Sequence, residues 1–162
     1  MPKRTTQMVR IKGVRTVLTT INGKVTAKPA PPLEWEAQAE AVKQLKAHPL
    51  YNIEFTIAGD FNAAKRSKAE AAKAVATGIA AGEPDLRVYM QGGVLGLIEY
   101  KVTARISNEQ KARHALLRKL GFIHIVIINA TTEADAAEQS LKLINQWLEE
   151  IVEHHEEIDT HV

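Results

Sequence analysis

The chain has no cysteine, which removes disulfides, thiolate zinc centres and cysteine nucleophiles together. That composition is compatible with a reducing compartment. Long apolar runs are missing too. No stretch reaches the roughly 18 apolar residues of a membrane span, and the opening MPKRTTQMVRIK lacks the apolar core of a signal peptide. The expectation is a soluble cytoplasmic protein with no membrane partner. Internal repeats and low-complexity segments are also missing. Acidic residues are absent from residues 1–32, which hold seven Lys or Arg.

What is present is ordinary in amount and uneven in placement. The 162 residues, 45% hydrophobic and 25% charged, fit one globular domain with a core of useful size. Net charge is only +2, yet residues 133–162 carry nine acids against one lysine. A basic start suggests a polyanionic partner. The acidic end is an alternative partner for it, within the chain or across a dimer.

Residues 7–28 contain Asn22-Gly23 between β-branched runs, a strong two-residue turn signal. The pattern predicts a basic β-hairpin arm carrying Arg10, Lys12, Arg15, Lys24 and Lys28, suited to nucleic acid or to strand addition. Pro29 to Pro32 (PAPP) then make a stiff connector. The expected organisation is an arm and connector over 1–32, a body over 33–153 and an acidic tail over 154–162.

The body begins with a helix predicted over 33–48, with Leu33, Ala37, Ala41 and Leu45 as a core stripe that Trp35 and Val42 extend. Glu34 and Gln38, four apart, share a neighbouring face. A strand over 51–57 leads to a loop with Asn62, Lys65 and Arg66; an arginine there can take a phosphate bidentately. The capping box from Ser67 to Glu70 starts a helix expected to reach about Ala80. A second capping box, Ser107 to Gln110, starts a helix stopped by Gly121, with Ala112, Ala115, Leu116 and Leu120 as its expected core face. Gln110, Arg113, His114 and Leu117 lie around another side. FIHIVIIN (122–129) reads as a strand buried on both faces, with His124 as a satisfied core histidine. Residues 132–152 keep the clearest amphipathic helical rhythm.

The stretch from Gly82 to Lys101, GEPDLRVYMQGGVLGLIEYK, is the centre of the chain. Two strand-like runs flank Gln-Gly-Gly. Side chains alternate along a strand, so Glu99 and Lys101 share one face while Ile98, Tyr100 and Val102 take the other. A hairpin brings Asp85 to the same edge. Two carboxylates and one ammonium make either a surface ion-pair cluster or a site for a hard divalent cation. Magnesium takes oxygen ligands and keeps several waters, so one or two carboxylates suffice. A bound cation polarises a phosphoryl oxygen and activates water, and a lysine beside it stabilises developing charge.

The order G-x-PD (Gly82, Pro84, Asp85), E-x-K (Glu99, Lys101) and S-x-x-Q (Ser107, Gln110) resembles the PD-(D/E)XK nuclease superfamily. Within it the chain is most similar to the VRR-NUC group, the virus-type replication and repair nucleases, over about Leu33 to Asn129. Glu34 and Gln38 match that group's leading helix, and Asn62 and Arg66 its polar loop. The resemblance implies a restriction-endonuclease-like fold: a mixed α/β body in which helices flank a mixed sheet. It implies magnesium-dependent DNA endonuclease activity, with manganese as a substitute. Asp85, Glu99 and Glu34 are the implied metal ligands, Lys101 the catalytic lysine and Gln110 a residue that shapes the site. Gln38, Asn62, Lys65 and Arg66, with Arg10, Lys12 and Arg15 of the arm, are the expected nucleic-acid contacts. Stand-alone members of this size resemble phage proteins and often act as dimers on branched DNA. The expected partners are therefore branched DNA, Holliday junctions included, and a second copy of the chain, in the host cytoplasm if the chain is phage-encoded. A non-catalytic DNA-binding protein of the same fold and an RNA endonuclease are the alternatives.

Overall fold

The computed structural model describes residues 3–60 and 67–159. The chain forms two compact units, Met1–Pro32 and Leu33–Val162.

The first unit is a three-stranded antiparallel sheet, not the two-stranded hairpin expected. Its strands β1 (Arg4–Ile11), β2 (Val14–Ile21) and β3 (Lys24–Pro29) pair in that order. Both turns have two residues with positive φ: Lys12 at 49° and Gly13 at 82°, then Asn22 at 51° and Gly23 at 77°. Tight hairpin turns of this kind match the twist of the strands they join. Lys-Gly is a weaker signal than Asn-Gly, which is why sequence pattern reveals only the second hairpin.

The second unit is mixed α/β. Its elements are α1 (Glu34–Lys46), β4 (Phe55–Gly59), α2 (Lys68–Ala76), β5 (Leu86–Met90), β6 (Leu95–Lys101), α3 (Asn108–Lys119), β7 (Ile125–Asn129) and α4 (Glu133–Asp159). The sheet order is β4-β5-β6-β7. β4, β5 and β6 run antiparallel in succession, and β6 pairs parallel with β7. A parallel neighbour needs a crossover, which α3 supplies.

Each sheet face has its own cover. Ala37, Ala41 and Leu45 of α1, with Ile144, Trp147 and Leu148 of α4, pack on Leu86, Val88, Ile98, Tyr100 and Ile128. Gly96 is required there: a Cβ at that position would lie 2.3 Å from the Trp147 ring. On the other face Leu117 of α3 packs on Leu97 and Ile125. The Tyr100 hydroxyl is hydrogen-bonded to Ser140 Oγ at 2.9 Å inside the core, and burial pushes the phenol pKa up.

Several expectations need correction. In α3 the buried residues are His114 and Leu117, whereas Leu116 and Leu120 are exposed. Trp35 and Leu33 do not join the α1 stripe and are exposed. The run at 122–129 is not buried on both faces. β7 is an edge strand in which only Ile125 and Ile128 are buried, and His124 precedes it, half-buried against Trp147. The strand expected over 51–57 lies later, at β4, and α2 ends at Ala76. The expected tail is helical up to Asp159. Among the described residues no helix is long and apolar enough to cross a membrane.

Candidate active site

Strand register assembles the centre. Leu86 faces Ile98 and Arg87 faces Leu97, so one step earlier Asp85 comes opposite Glu99. Lys101 follows on the same face of β6, and α3 covers that face. Asp85 sits in the turn before β5, where its Oδ2 accepts the Tyr100 N–H at 2.8 Å. Its backbone carbonyl accepts two more bonds, from Asp60 N and Gln38 Nε2, both at 2.9 Å. The carboxylate is thus fixed by its own chain and by two neighbouring elements. Gln38, expected to contact nucleic acid, holds the backbone of Asp85.

Glu99 is fully buried. Its Oε1 accepts from Lys101 Nζ at 2.9 Å and from Gln110 Nε2. Its Oε2 has no hydrogen-bond partner, and neither has His114 Nε2, 3.9 Å away. Burial pushes the Glu99 pKa up to about 7, and the Asp85 carboxylate adds to the shift. Asp85 is raised as well, chiefly by burial, against the pull of the Tyr100 N–H and Lys101. Burial disfavours the Lys101 ammonium, but contacts to Glu99 and Glu34 outweigh it and raise the pKa. Burial, with Arg118 nearby, lowers the His114 pKa, so its ring is neutral at pH 7.

Glu34, the first residue of α1, reaches Lys101 Nζ at 3.0 Å. It joins the cluster through the ammonium, while Asp85 and Glu99 lean on each other. Gln110 has two roles. Its Oε1 accepts from Ser107 N at 2.9 Å to close the helix cap, and its amide donates to Glu99. Local capping and site geometry therefore share one side chain.

The donor set fits a hard cation. Two adjacent carboxyls have raised pKa values, and one buried carboxylate oxygen is unpartnered, as expected where a positive charge belongs. Among the described residues no group of three or more His, Cys, Asp or Glu side chains could hold an ion. Two carboxylates with water completing the shell suit magnesium better than a metal that needs a closed protein cage.

Sequence pattern missed the surrounding brace. Glu83 Oε2 accepts from Arg113 Nε at 2.7 Å, and Glu83 Oε1 pairs with Arg87 at 3.2 Å. Arg87 also reaches Asp60 at 3.4 Å. Glu83, Asp85 and Arg87 are spaced by two, an alternation that places them on one side and was readable in advance. Asn62, Lys65 and Arg66 lie outside the described residues. Arg10, Lys12 and Arg15 belong to the first unit, where Arg10 donates to Gly13 O and Arg15 to Pro31 O.

Comparison with known proteins finds no match to any family model, and no curated protein or solved structure matches either.

Proposed function

We propose that the second unit is a magnesium-dependent DNA endonuclease with a restriction-endonuclease-like fold, selective for branched DNA. The observation that carries this reading is the adjacent carboxyls of half-buried Asp85 and fully buried Glu99, with Lys101, on one sheet face. Asp85 and Glu99 would hold the cation, which supplies Lewis acidity toward a phosphoryl oxygen and lowers the pKa of bound water. Lys101 stays protonated and aims its charge from between Glu99 and Glu34. Such a held ammonium stabilises the charge that builds on a phosphoryl oxygen. Gln110 fixes Glu99, and the Tyr100 N–H and Gln38 fix Asp85, so both carboxylates are oriented before substrate arrives.

Cleavage of end-labelled four-way junctions and linear duplexes, in Mg²⁺, Mn²⁺ or EDTA, tests the reading. The protein should cut only with metal and should prefer the junction. Lys101→Ala should abolish cutting in a folded protein. Metal-independent cutting, or cutting by Lys101→Ala at the parent rate, contradicts the assignment.

A further inference from the structure

The first unit has two chemically different sheet faces. Directly opposed residues share a face, so the register sorts every side chain. Arg4, Ile21 and Lys24 form one cross-strand row; Thr6, Thr19 and Thr26 the next; Met8, Val17 and Lys28 the third; Arg10 and Arg15 the fourth. Five cations therefore lie on one face, and no acid accompanies them in residues 1–32. The other face carries Val9, Ile11, Val14, Leu18, Val25 and Ala27. Lys12 sits in a turn and belongs to neither row system.

The arrangement has a cost within the chain. Arg10 stands directly opposite Arg15, and like charges at that position destabilise an antiparallel pair. Arg10 also donates to the Gly13 carbonyl and Arg15 to the Pro31 carbonyl. Successive rows are about 6.8 Å apart, so the first and fourth rows are separated by roughly 20 Å. Between them lie Thr6, Thr19 and Thr26 and then Met8, Val17 and Lys28. Cations spread along the face in this way suit contact with successive phosphates of a duplex backbone.

We propose that this face is a phosphate-binding surface for duplex DNA, with Arg4, Arg10, Lys24 and Lys28 on the backbone. DNA as the polyanion follows from the function proposed above; the charged face itself does not depend on the carboxylate site.

Fluorescence anisotropy of a short labelled DNA duplex in EDTA, over a range of salt, tests binding without turnover. The variant Arg4→Gln/Arg10→Gln/Lys24→Gln/Lys28→Gln should bind more weakly. Its plot of log K against log salt should be shallower by roughly 3.6 units, since each of the four lost phosphate contacts removes about 0.9. The charge-conserving variant Arg4→Lys/Arg10→Lys/Lys24→Arg/Lys28→Arg should keep the parent slope. Neutralising the exposed Lys119 and Lys142 instead should leave the slope unchanged. An unchanged slope in the neutral variant, a lost slope in the charge-conserving one, or an equal loss in the Lys119/Lys142 variant overturns the proposal. So does tighter binding to a matched RNA duplex. If light scattering shows that the neutral variant only splits a dimer, the face pairs with the acidic end of a second copy and the proposal fails. A protein that binds DNA in this way but never cuts it would sink the nuclease reading and leave this one standing.

Discussion

His114 Nε2 lies 3.9 Å from Glu99 Oε2, and both atoms are buried without a hydrogen-bond partner. Unsatisfied buried polar atoms are rare, and each costs about 1–3 kcal/mol. Their pairing across a short gap, at the centre of a carboxylate cluster, marks where folding stability has been given up. His114→Leu keeps the bulk and removes one orphan atom. In metal-free protein it should be neutral or stabilising by about 1 kcal/mol in urea unfolding. A clear loss of stability would mean that His114 Nε2 has a partner that the variant removes.

Metal-free stability should fall as pH rises. Glu99 titrates at about 7 when folded against 4.5 as the ordinary value. The folded state therefore holds the extra proton between those values, and stability is lost as pH climbs through the window. The full shift corresponds to about 3 kcal/mol. Asp85, also raised, acts in the same direction, while His114, whose pKa burial lowers, gains stability as pH rises and offsets part of the fall. Urea unfolding at pH 5 and pH 8 in EDTA should show the drop, and Glu99→Gln should flatten it. A parent protein more stable at pH 8 than at pH 5 would contradict the site's electrostatics.

Two substitutions separate the helix cap from the site. Ser107 Oγ accepts from Gln110 N at 3.2 Å at the helix cap, whereas Gln110 both caps α3 and holds Glu99. Ser107→Ala should cost about 1 kcal/mol of stability with cleavage kept well below the melting temperature. Gln110→Ala should cost about 1–2 kcal/mol and also lower the cleavage rate at least tenfold. Equal rates in the two variants would mean that the Gln110 contact does nothing for the chemistry.

Gly82 ties the loop before Asp85 to the start of α3. Its φ is +76°, and a Cβ there would lie 2.5 Å from Glu109 O and 2.7 Å from Gln110 N. Gly82→Ala combines backbone strain with displacement of the helix that carries Gln110, a loss of about 2–4 kcal/mol. Thermal melting should show it, with metal binding weakened in parallel.

How much of this was readable beforehand depends on the element. The β5–β6 hairpin followed from the Gln-Gly-Gly turn and strict alternation, which also put Glu99 and Lys101 on one face. Both capping boxes stand where Ser67 and Ser107 place them. The α3 face was misread because Leu116 and Leu120 outnumber Leu117, and the residue that completes the true face, His114, counts as polar. It is buried because Glu99 is buried beside it, a tertiary cause that periodicity does not contain. The run at 122–129 is apolar enough for a central strand, yet among the described residues no strand pairs with the outer edge of β7. The Glu83–Arg113 contact joins a loop to a helix and needed the fold to be seen.

The measurement closest to the central claim is single-turnover cleavage of a labelled DNA junction by the parent and by Asp85→Asn, with circular dichroism showing both folded. The account predicts Mg²⁺-dependent cutting by the parent. It also predicts loss of cutting and of Mg²⁺ binding in Asp85→Asn, whose amide keeps the shape but removes the charge that holds the ion. Asp85→Asn cutting at the parent rate, or a folded parent with no metal-dependent cutting of any DNA, would contradict it.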